Sequence, residues 1–410
     1  MLSVEQALQL VEQHARPLAP QRVALEEAMG LVLAEVVTSA VDSPPYDKSL
    51  MDGYAVVSSD RAEVREVLEE IGAGSVPRRP VTPGTATRLM TGAPLPEGAD
   101  AVVAFEETDP IDDRTVRLRQ TDPAPGQHML VMGAALRVGQ RVFERGVLLR
   151  PIEIGILAEI GHAVVMVQPR PKVAVLPTGN ELVAANEKPA AGQIHNSNGP
   201  MLAAAITRDG GAAIELPVAR DDRDELRRLI SAGLESDVLL LCGGVSAGKF
   251  DLAPDALAEL GVDEAFHKVA LRPGKPLWFG VKSFGERQVL VFGLPGNPVS
   301  SLVCYELFAR PAIAALAGRG FAVPPLVSAR LSHDFKCKGG RASCLPAAIM
   351  RRASGETGLD GASDTRPTVE ILPWHGSADL VALARANALV RLGTEPEQIS
   401  AGATVQVMSL

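Results

Sequence analysis

Val238-Leu-Leu-Leu-Cys-Gly-Gly-Val-Ser-Ala-Gly-Lys-Phe-Asp251 sets a short apolar run directly before a glycine-rich loop. The pattern returns at Gln288-Val-Leu-Val-Phe292, which leads into Gly293-Leu-Pro-Gly-Asn-Pro298, and a third such loop is Arg272-Pro-Gly-Lys-Pro276. The two apolar runs read as buried parallel strands. Glycine turns at their carboxyl ends leave backbone N–H groups free to face a phosphate or another oxyanion. Lys268, Arg272, Lys275, Asp251 and Asn297 stand in or beside these loops, so the stretch reads as a polar ligand site.

Outward from there, residues 171–318 alternate strand and helix as a doubly wound α/β domain does. The expected strands are 172–176, 212–218 and 238–241, with others near 268, 278 and 290. The helices expected are 198–208, 222–233, 252–260 and a long one over 298–317. Before this domain, residues 1–40 read as two helices. The first is amphipathic, with apolar residues at 4, 7, 8 and 11 and Ser3 as its cap; the second spans about Leu25 to Thr38. From 45 to about 140, short β-type runs such as Ala101-Val-Val-Ala-Phe105 alternate with Gly, Pro and Asp turns, the rhythm of small β modules, and Pro151–Ile160 reads as a helix. After Ala322-Val-Pro-Pro325, short strands return at 327–331, 369–372, 388–392 and 404–407. The fold class expected is therefore α/β plus β. It is multidomain, with a β-rich N-terminal region over 1–168, a central α/β domain over 169–318 and a small C-terminal β domain over 323–410. No internal repeat or low-complexity linker interrupts it.

A chain of 410 residues with 46% hydrophobic and 22% charged residues reads as a multidomain globular protein. Its net charge of −9 argues against a general nucleic-acid binder, while leaving room for an anionic small substrate where positive charge is concentrated. No uninterrupted apolar run reaches the roughly 18 residues of a bilayer span, and the amphipathic start lacks the pattern of an export signal. The expectation is a cytoplasmic protein with no membrane partner. The cysteines at 242, 304, 337 and 344 have no zinc-type spacing and read as small apolar residues, and His14, His128 and His195 read as structural.

Candidate chemistry concentrates where the α/β strands end. Glu181, in Thr178-Gly-Asn-Glu-Leu182, follows the first strand; Asp221 follows the second, and Asp251 closes the Gly-Gly-Val-Ser loop. Each alone reads equally as a helix-start or capping acid. Three of them at one sheet edge, beside anion-binding loops, match Mg²⁺, which takes one or two carboxylates plus phosphate oxygens. Lys275 is held in a loop stiffened by prolines, a poor place for a merely solvating lysine and a good one for gripping an oxyanion. Asn297 and Ser300 offer polar contacts or caps at the start of the long helix. By physics alone, Ser49-Leu-Met-Asp-Gly-Tyr-Ala55 and Thr91-Gly-Ala-Pro-Leu-Pro-Glu-Gly-Ala-Asp100 are only tight turns.

Taken together these segments resemble the molybdopterin molybdenumtransferases, the MoeA and gephyrin E-domain family. The resemblance runs nearly the whole length: Pro44-Pro-Tyr-Asp-Lys-Ser-Leu-Met-Asp-Gly-Tyr-Ala55, Thr91 to Val103, Thr178 to Leu182, Asn196-Ser-Asn198, Gly243-Gly-Val-Ser246 with Asp251, Pro273-Gly-Lys-Pro276 and Gly293 to Ser300. It implies a homodimer whose active site lies between the α/β domain of one subunit and first-domain loops of the other. It also implies Mg²⁺-dependent cleavage of adenylylated molybdopterin, with molybdate inserted and AMP released. Carried over by position, Glu181, Asp221 and Asp251 look like the metal and hydrolysis acids. Gly243, Gly244, Ser246, Lys268, Arg272, Lys275, Pro276, Asn297, Ser300, Arg341 and Ser377 look like cofactor and anion-site residues. Asp52 and Thr91 look like the contribution of the opposing subunit.

The chain departs from the family pattern in three places. Ala134-Ala135-Leu136 stands where an acidic pair is usual, Asn180 replaces the aspartate of a Thr-Gly-Asp-Glu loop, and Lys48 replaces an asparagine. These changes reduce negative charge at the expected metal site. They motivate the alternative of a non-catalytic molybdopterin carrier or scaffold on the same fold; an enzyme acting on another pyrophosphate is a second.

Overall fold

The computed structural model describes residues 1–244, 252–337, 339–350, 366–395 and 397–410. It comprises two compact units: Met1–Gln21 with Gly30–Val32 and Gln168–Leu410, and Arg22–Met29 with Leu33–Val167.

The larger unit is built on a six-stranded sheet. In chain order its elements are β1 (Lys172–Pro177), α1 (Asn198–Arg208), β2 (Ala212–Glu215), α2 (Arg223–Gly233), β3 (Val238–Cys242), α3 (Ala253–Glu259), β4 (Asp263–His267), β5 (Trp278–Phe284) and β6 (Arg287–Leu294). The spatial order is β2-β1-β3-β6-β5-β4. Strands β2, β1, β3 and β6 are mutually parallel, with β2 at the exposed edge, and Val238 to Leu241 of the inner strand β3 are all fully buried, as expected of a run without a polar face. The far edge differs from a fully parallel sheet. Strands β5 and β6 are antiparallel, joined by the tight turn at Gly285-Glu286 with Phe284 opposite Arg287, and β4 is antiparallel to β5. A two-residue connection permits no other pairing. The strand expected near 268 ends at His267, because Lys268 takes a left-handed φ of 74°.

The amino-terminal helix Val4–His14 forms as its spacing predicts. Ser3 caps it reciprocally with Gln6, and Val4, Ala7 and Val11 enter the same core as β1, β3 and β6. A second helix over 25–38 does not form. Leu25–Glu27 is a single 3₁₀ turn, Gly30 takes a φ of 76°, and Val37–Thr38 pairs with Arg141–Phe143 as short strands. A glycine in the left-handed region and β-branched valines favouring strand explain the difference. The long helix does form over 298–316, with a π-helical stretch at Tyr305–Ala309. Pro298–Leu316 is apolar and long enough to cross a membrane, but 83% of its most apolar window is buried inside the protein. Within it, fully buried Glu306 is paired with Arg208 at 2.6 Å and Arg310 at 2.7 Å. Burying that carboxylate without both partners would be costly.

The carboxyl-terminal sheet contains Leu326–Leu331, Ala342–Met350, Thr368–Ile371, Ala388–Leu392 and Thr404–Ser409. Its sixth strand is Leu271–Arg272 from the preceding domain, which pairs in parallel with Ala342 and Ser343. The region also holds a short helix, Leu380–Arg385, capped by Asp379 and not anticipated from sequence.

The smaller unit carries a six-stranded sheet in the order Ala101–Ala104, Gly53–Val56, Thr85–Leu89, Val64–Ile71, Thr115–Leu118, Thr108–Asp112. Alternation along Gly53–Val56 sends Tyr54 and Val56 to one core and Ala55 to another on the opposite face.

A candidate anion-binding active site at the sheet edge

Because β1, β3 and β6 are parallel and adjacent, the loops that follow them open on one edge of the sheet. The order of strands reverses there between β1 and β3, where α/β sheets form their ligand crevices. A cleft of about 970 Å³ occupies this edge. Its lining includes Thr178, Gly179 and Glu181 after β1, Asp221 after β2, Gly243 and Gly244 after β3, and Pro295 to Pro298 after β6.

These loops are braced by backbone contacts. Thr178 N donates to Cys242 O at 3.1 Å, Gly243 N to Leu294 O at 3.0 Å and Gly179 N to Ala219 O at 3.0 Å. Arg220 Nη1 donates to the carbonyls of Asn180 and Leu182, both at 3.0 Å. The two glycine turns also meet directly: a Cβ on Gly296 would lie 3.7 Å from Gly243 Cα, and one on Gly243, at φ 100°, would lie 3.0 Å from Thr178 O. Glycine is required at 243 by both conformation and space.

Positive charge arrives from the other side. Arg272, Pro273, Gly274, Lys275 and Pro276 line the cleft, as does Arg341, whose Nη1 donates to Leu271 O at 3.4 Å. Pairing of Leu271–Arg272 with Ala342–Ser343 is what carries Arg341 to this place. Gly274 sits at φ 125°, and a Cβ there would lie 2.8 Å from Cys304 Sγ. The turn is thus packed against the long helix, with Lys275 left exposed at its tip. Among its described lining residues the cleft gathers three cationic side chains, Arg272, Lys275 and Arg341, and two carboxylates, Glu181 and Asp221, in a chain whose net charge is −9.

The segment 374–378 closes another side. Asn297 Nδ2 donates to Ser377 Oγ at 2.8 Å, and Val299 N donates to Ser377 O at 3.0 Å. Buried Ser300 lines the cleft below them. Asn198, at the start of α1, donates from Nδ2 to Gly296 O at 2.6 Å, while its buried Oδ1 has no partner among the described residues. Cys242 also borders the cleft, but burial pushes its thiol up to about 12, so it stays a neutral, apolar wall. All four cysteines are free and buried, consistent with the apolar reading of their spacing.

The structure therefore brings together Glu181, Asp221, Gly243, Gly244, Arg272, Lys275, Pro276, Asn297, Ser300, Arg341 and Ser377. Lys268 is not among the lining residues; its backbone is spent on Leu2 and Leu277. Ser246 and Asp251 lie outside the described residues. His195, read as structural, borders the cleft, where its Nε2 lies 2.9 Å from Glu187 O. Trp374 was missed altogether, since a lone aromatic in a turn carries no periodic signal. Asn198 had only its place in the Asn-Ser-Asn motif to mark it.

Asp52 and Thr91 belong to the smaller unit and hold each other. The backbone N–H and the hydroxyl of Thr91 both donate to Asp52 Oδ1 at 2.7 Å. These bonds, the backbone one first, hold the Asp52 carboxyl below its ordinary value of 3.8. A depressed carboxyl adds stability that is present above its unfolded pKa and is lost as pH falls through the lower folded one. Thr91→Val keeps the backbone donor and removes the hydroxyl. Carbon-detected titration of Asp52 is expected to show its pKa moving up toward the ordinary value; no movement would mean the hydroxyl contributes nothing.

Among the described residues, no group of three or more His, Cys, Asp or Glu forms a ready-made metal cage. Glu181 and Asp221 still fit magnesium, which needs only one or two carboxylates beside phosphate oxygens. Space is kept for the Glu181 carboxylate by Gly179, at φ 141°, where an added Cβ would lie about 2.7 Å from Glu181 Oε1. Asn180 Oδ1 accepts from Asp221 N at 3.1 Å, so this side chain braces the loop carrying the second acid.

An α/β crevice of this kind, lined by glycine loops at the carboxyl ends of parallel strands, defines a ligand-binding α/β protein with its site at the strand-order reversal. Three family models match in order: the MoeA N-terminal region over residues 2–161, a probable molybdopterin-binding domain over 174–315 and the MoeA C-terminal region over 328–410. A molybdopterin molybdenumtransferase of Staphylococcus aureus is 33% identical over 416 aligned positions, covering 99% of this chain and 95% of that protein. One from Staphylococcus epidermidis is 31% identical, with the same coverage. Two solved structures of molybdopterin biosynthesis MoeA proteins from Pyrococcus horikoshii align over the whole chain and over 99% and 100% of theirs. Their TM-scores are 0.80 and 0.74, at 30% and 27% identity. The chain belongs to the molybdopterin molybdenumtransferase family, enzymes of molybdenum cofactor biosynthesis.

Proposed function

We propose that the cleft binds adenylylated molybdopterin together with molybdate, and that Mg²⁺-dependent cleavage of the pyrophosphate releases AMP as molybdate is inserted. The observation that carries this reading is the convergence of three backbone-lined turns with Arg272, Lys275 and Arg341 opposite Glu181 and Asp221. A pyrophosphate and a tetrahedral oxyanion both need oriented N–H donors and fixed cations. Glu181 and Asp221, with Asp251, would hold the magnesium ion, which supplies charge to offset that building on the pyrophosphate oxygens. Arg272, Lys275 and Arg341 orient the anions, and the glycine turns let backbone amides approach them without steric cost. By family resemblance, the protein works as a cytoplasmic homodimer, with Asp52 and Thr91 of the partner subunit completing each cleft.

A carrier without turnover is the second reading, favoured by Ala134-Ala135-Leu136 and Asn180 where the family has acids. Glu144, a few residues further along the chain, is paired with Arg141 at 2.8 Å. AMP release from adenylylated molybdopterin, measured with magnesium in the presence and absence of molybdate, separates the two. Molybdate-dependent release is the expected result; tight binding with no release would make the protein a carrier.

A further inference from the structure

The chain has only two tryptophans, and they are used differently. Trp278 is 1% exposed and donates its indole N–H to Glu264 Oε2 at 2.8 Å, a core residue with its polar atom satisfied. Trp374 is half-buried, packs against the cores of both the α/β domain and the carboxyl-terminal sheet, and lines the cleft. Its indole N–H has no hydrogen-bond partner among the described residues. It is also the only Phe, Tyr or Trp among the described lining residues, in a chain with 4% aromatics.

The turn that presents Trp374 is fastened at several points. Asp379 accepts from His375 N and lies 3.0 Å from His375 Nδ1, and it caps the following helix through Ala382 N. Ser377 is tied to Asn297 and Val299 at the start of the long helix. A ring packed on two cores and held by a pinned turn is preorganised, so little side-chain entropy is lost when a flat ligand lands on it.

We propose that Trp374 is the stacking platform for a fused nitrogen bicycle of the substrate, the adenine or the pterin ring, beside the anion-binding loops. This rests on the function proposed above and adds to it the residue that recognises the planar part of the ligand. The glycine loops offer no flat side chain, and Arg272, Arg341 and His195 offer only small planes; the indole of Trp374 is the one lining group among the described residues broad enough to cover a fused bicycle. A π-surface in the same cleft supplies that contact, and an unspent indole N–H can donate to a ring nitrogen or a phosphate oxygen.

The test uses the full chain, titrated calorimetrically with AMP, ribose 5-phosphate, 6-carboxypterin and molybdate. Trp374→Leu keeps apolar packing on the two cores and removes the aromatic face, and Trp374→Phe restores a face. The expected result is that Trp374→Leu binds AMP or the pterin about tenfold more weakly or worse, with ribose 5-phosphate and molybdate unchanged and most of the loss recovered in Trp374→Phe. Whichever ring-bearing ligand loses affinity identifies the ring that stacks. Ligand quenching of tryptophan emission in the wild type should vanish in Trp374→Leu, since Trp278 is out of reach in the core. Equal affinity of wild type and Trp374→Leu for both ring ligands would overturn the stacking role and leave the proposed function standing. A wild type that binds none of the four ligands would overturn the proposed function, and the stacking role with it.

Discussion

Lys275→Ala is expected to lower molybdate-dependent AMP release by about a hundredfold or more, the usual cost of removing one fixed donor from an oxyanion site. Lys275 is the exposed tip of a turn whose backbone has almost no freedom: Gly274 at φ 125° packs against Cys304 Sγ, Lys275 O accepts from Val269 N at 3.0 Å, and Pro273 is buried. A lysine on a mobile loop shares its charge with solvent; one held at the rim of a cleft directs it. The effect should fall on the concentration of molybdate needed as well as on the maximal rate, with the thermal transition of the protein unchanged because no packing is lost. A variant with wild-type molybdate dependence would remove Lys275 from the anion site.

The second large effect concerns stability. Gly53 opens a central strand of the smaller unit, and a Cβ built on it would lie 2.1 Å from Val103 O, a backbone atom of the paired strand. Unlike a clash with a flexible side chain, this one cannot be relieved without moving the ladder between Gly53–Val56 and Ala101–Ala104. Gly53→Ala is expected to destabilise this unit by about 3 kcal/mol, at the upper end for overpacking. Because the chain holds two units, a single melting temperature would not resolve the change. Hydrogen exchange would: amides of 53–56 and 101–104 should lose protection while β1, β3 and β6 keep theirs. Both tryptophans lie in the other unit, so their emission should not change. Undiminished protection across 53–56 would show that the sheet accommodates the methyl group.

The parallel core of the α/β domain was legible because its inner strands, Lys172–Pro177, Val238–Cys242 and Arg287–Leu294, are largely apolar and run into glycine-bearing loops. Apolarity reports burial on both sides, and the turn residues report where the chain must reverse. The same logic located Gly243, Gly244, Lys275 and Asn297. It failed at 25–38, where apolar residues at 25, 28, 29, 32, 33 and 36 fit a helical period until Gly30 and the valines decided otherwise. It also failed for Arg341, Ser377 and Trp374, which reach the cleft only through tertiary pairing. Arg341 is carried there by the strand at 271–272, and Trp374 by a turn fastened to Asn297 and Val299. Nothing local in those stretches marks them, so only whole-family resemblance pointed to the first two.

The borrowed strand Leu271–Arg272 has a further consequence for how this protein can be rearranged. The linker after residue 318 looks like a natural place to cut the gene, exchange the last module or graft it elsewhere. A swap there would separate Ala342–Met350 from its parallel neighbour and take Arg341 away from Arg272, so the recipient would inherit an incomplete sheet and the donor an incomplete binding wall. The last two modules are therefore a single unit of inheritance, although in sequence they read as two.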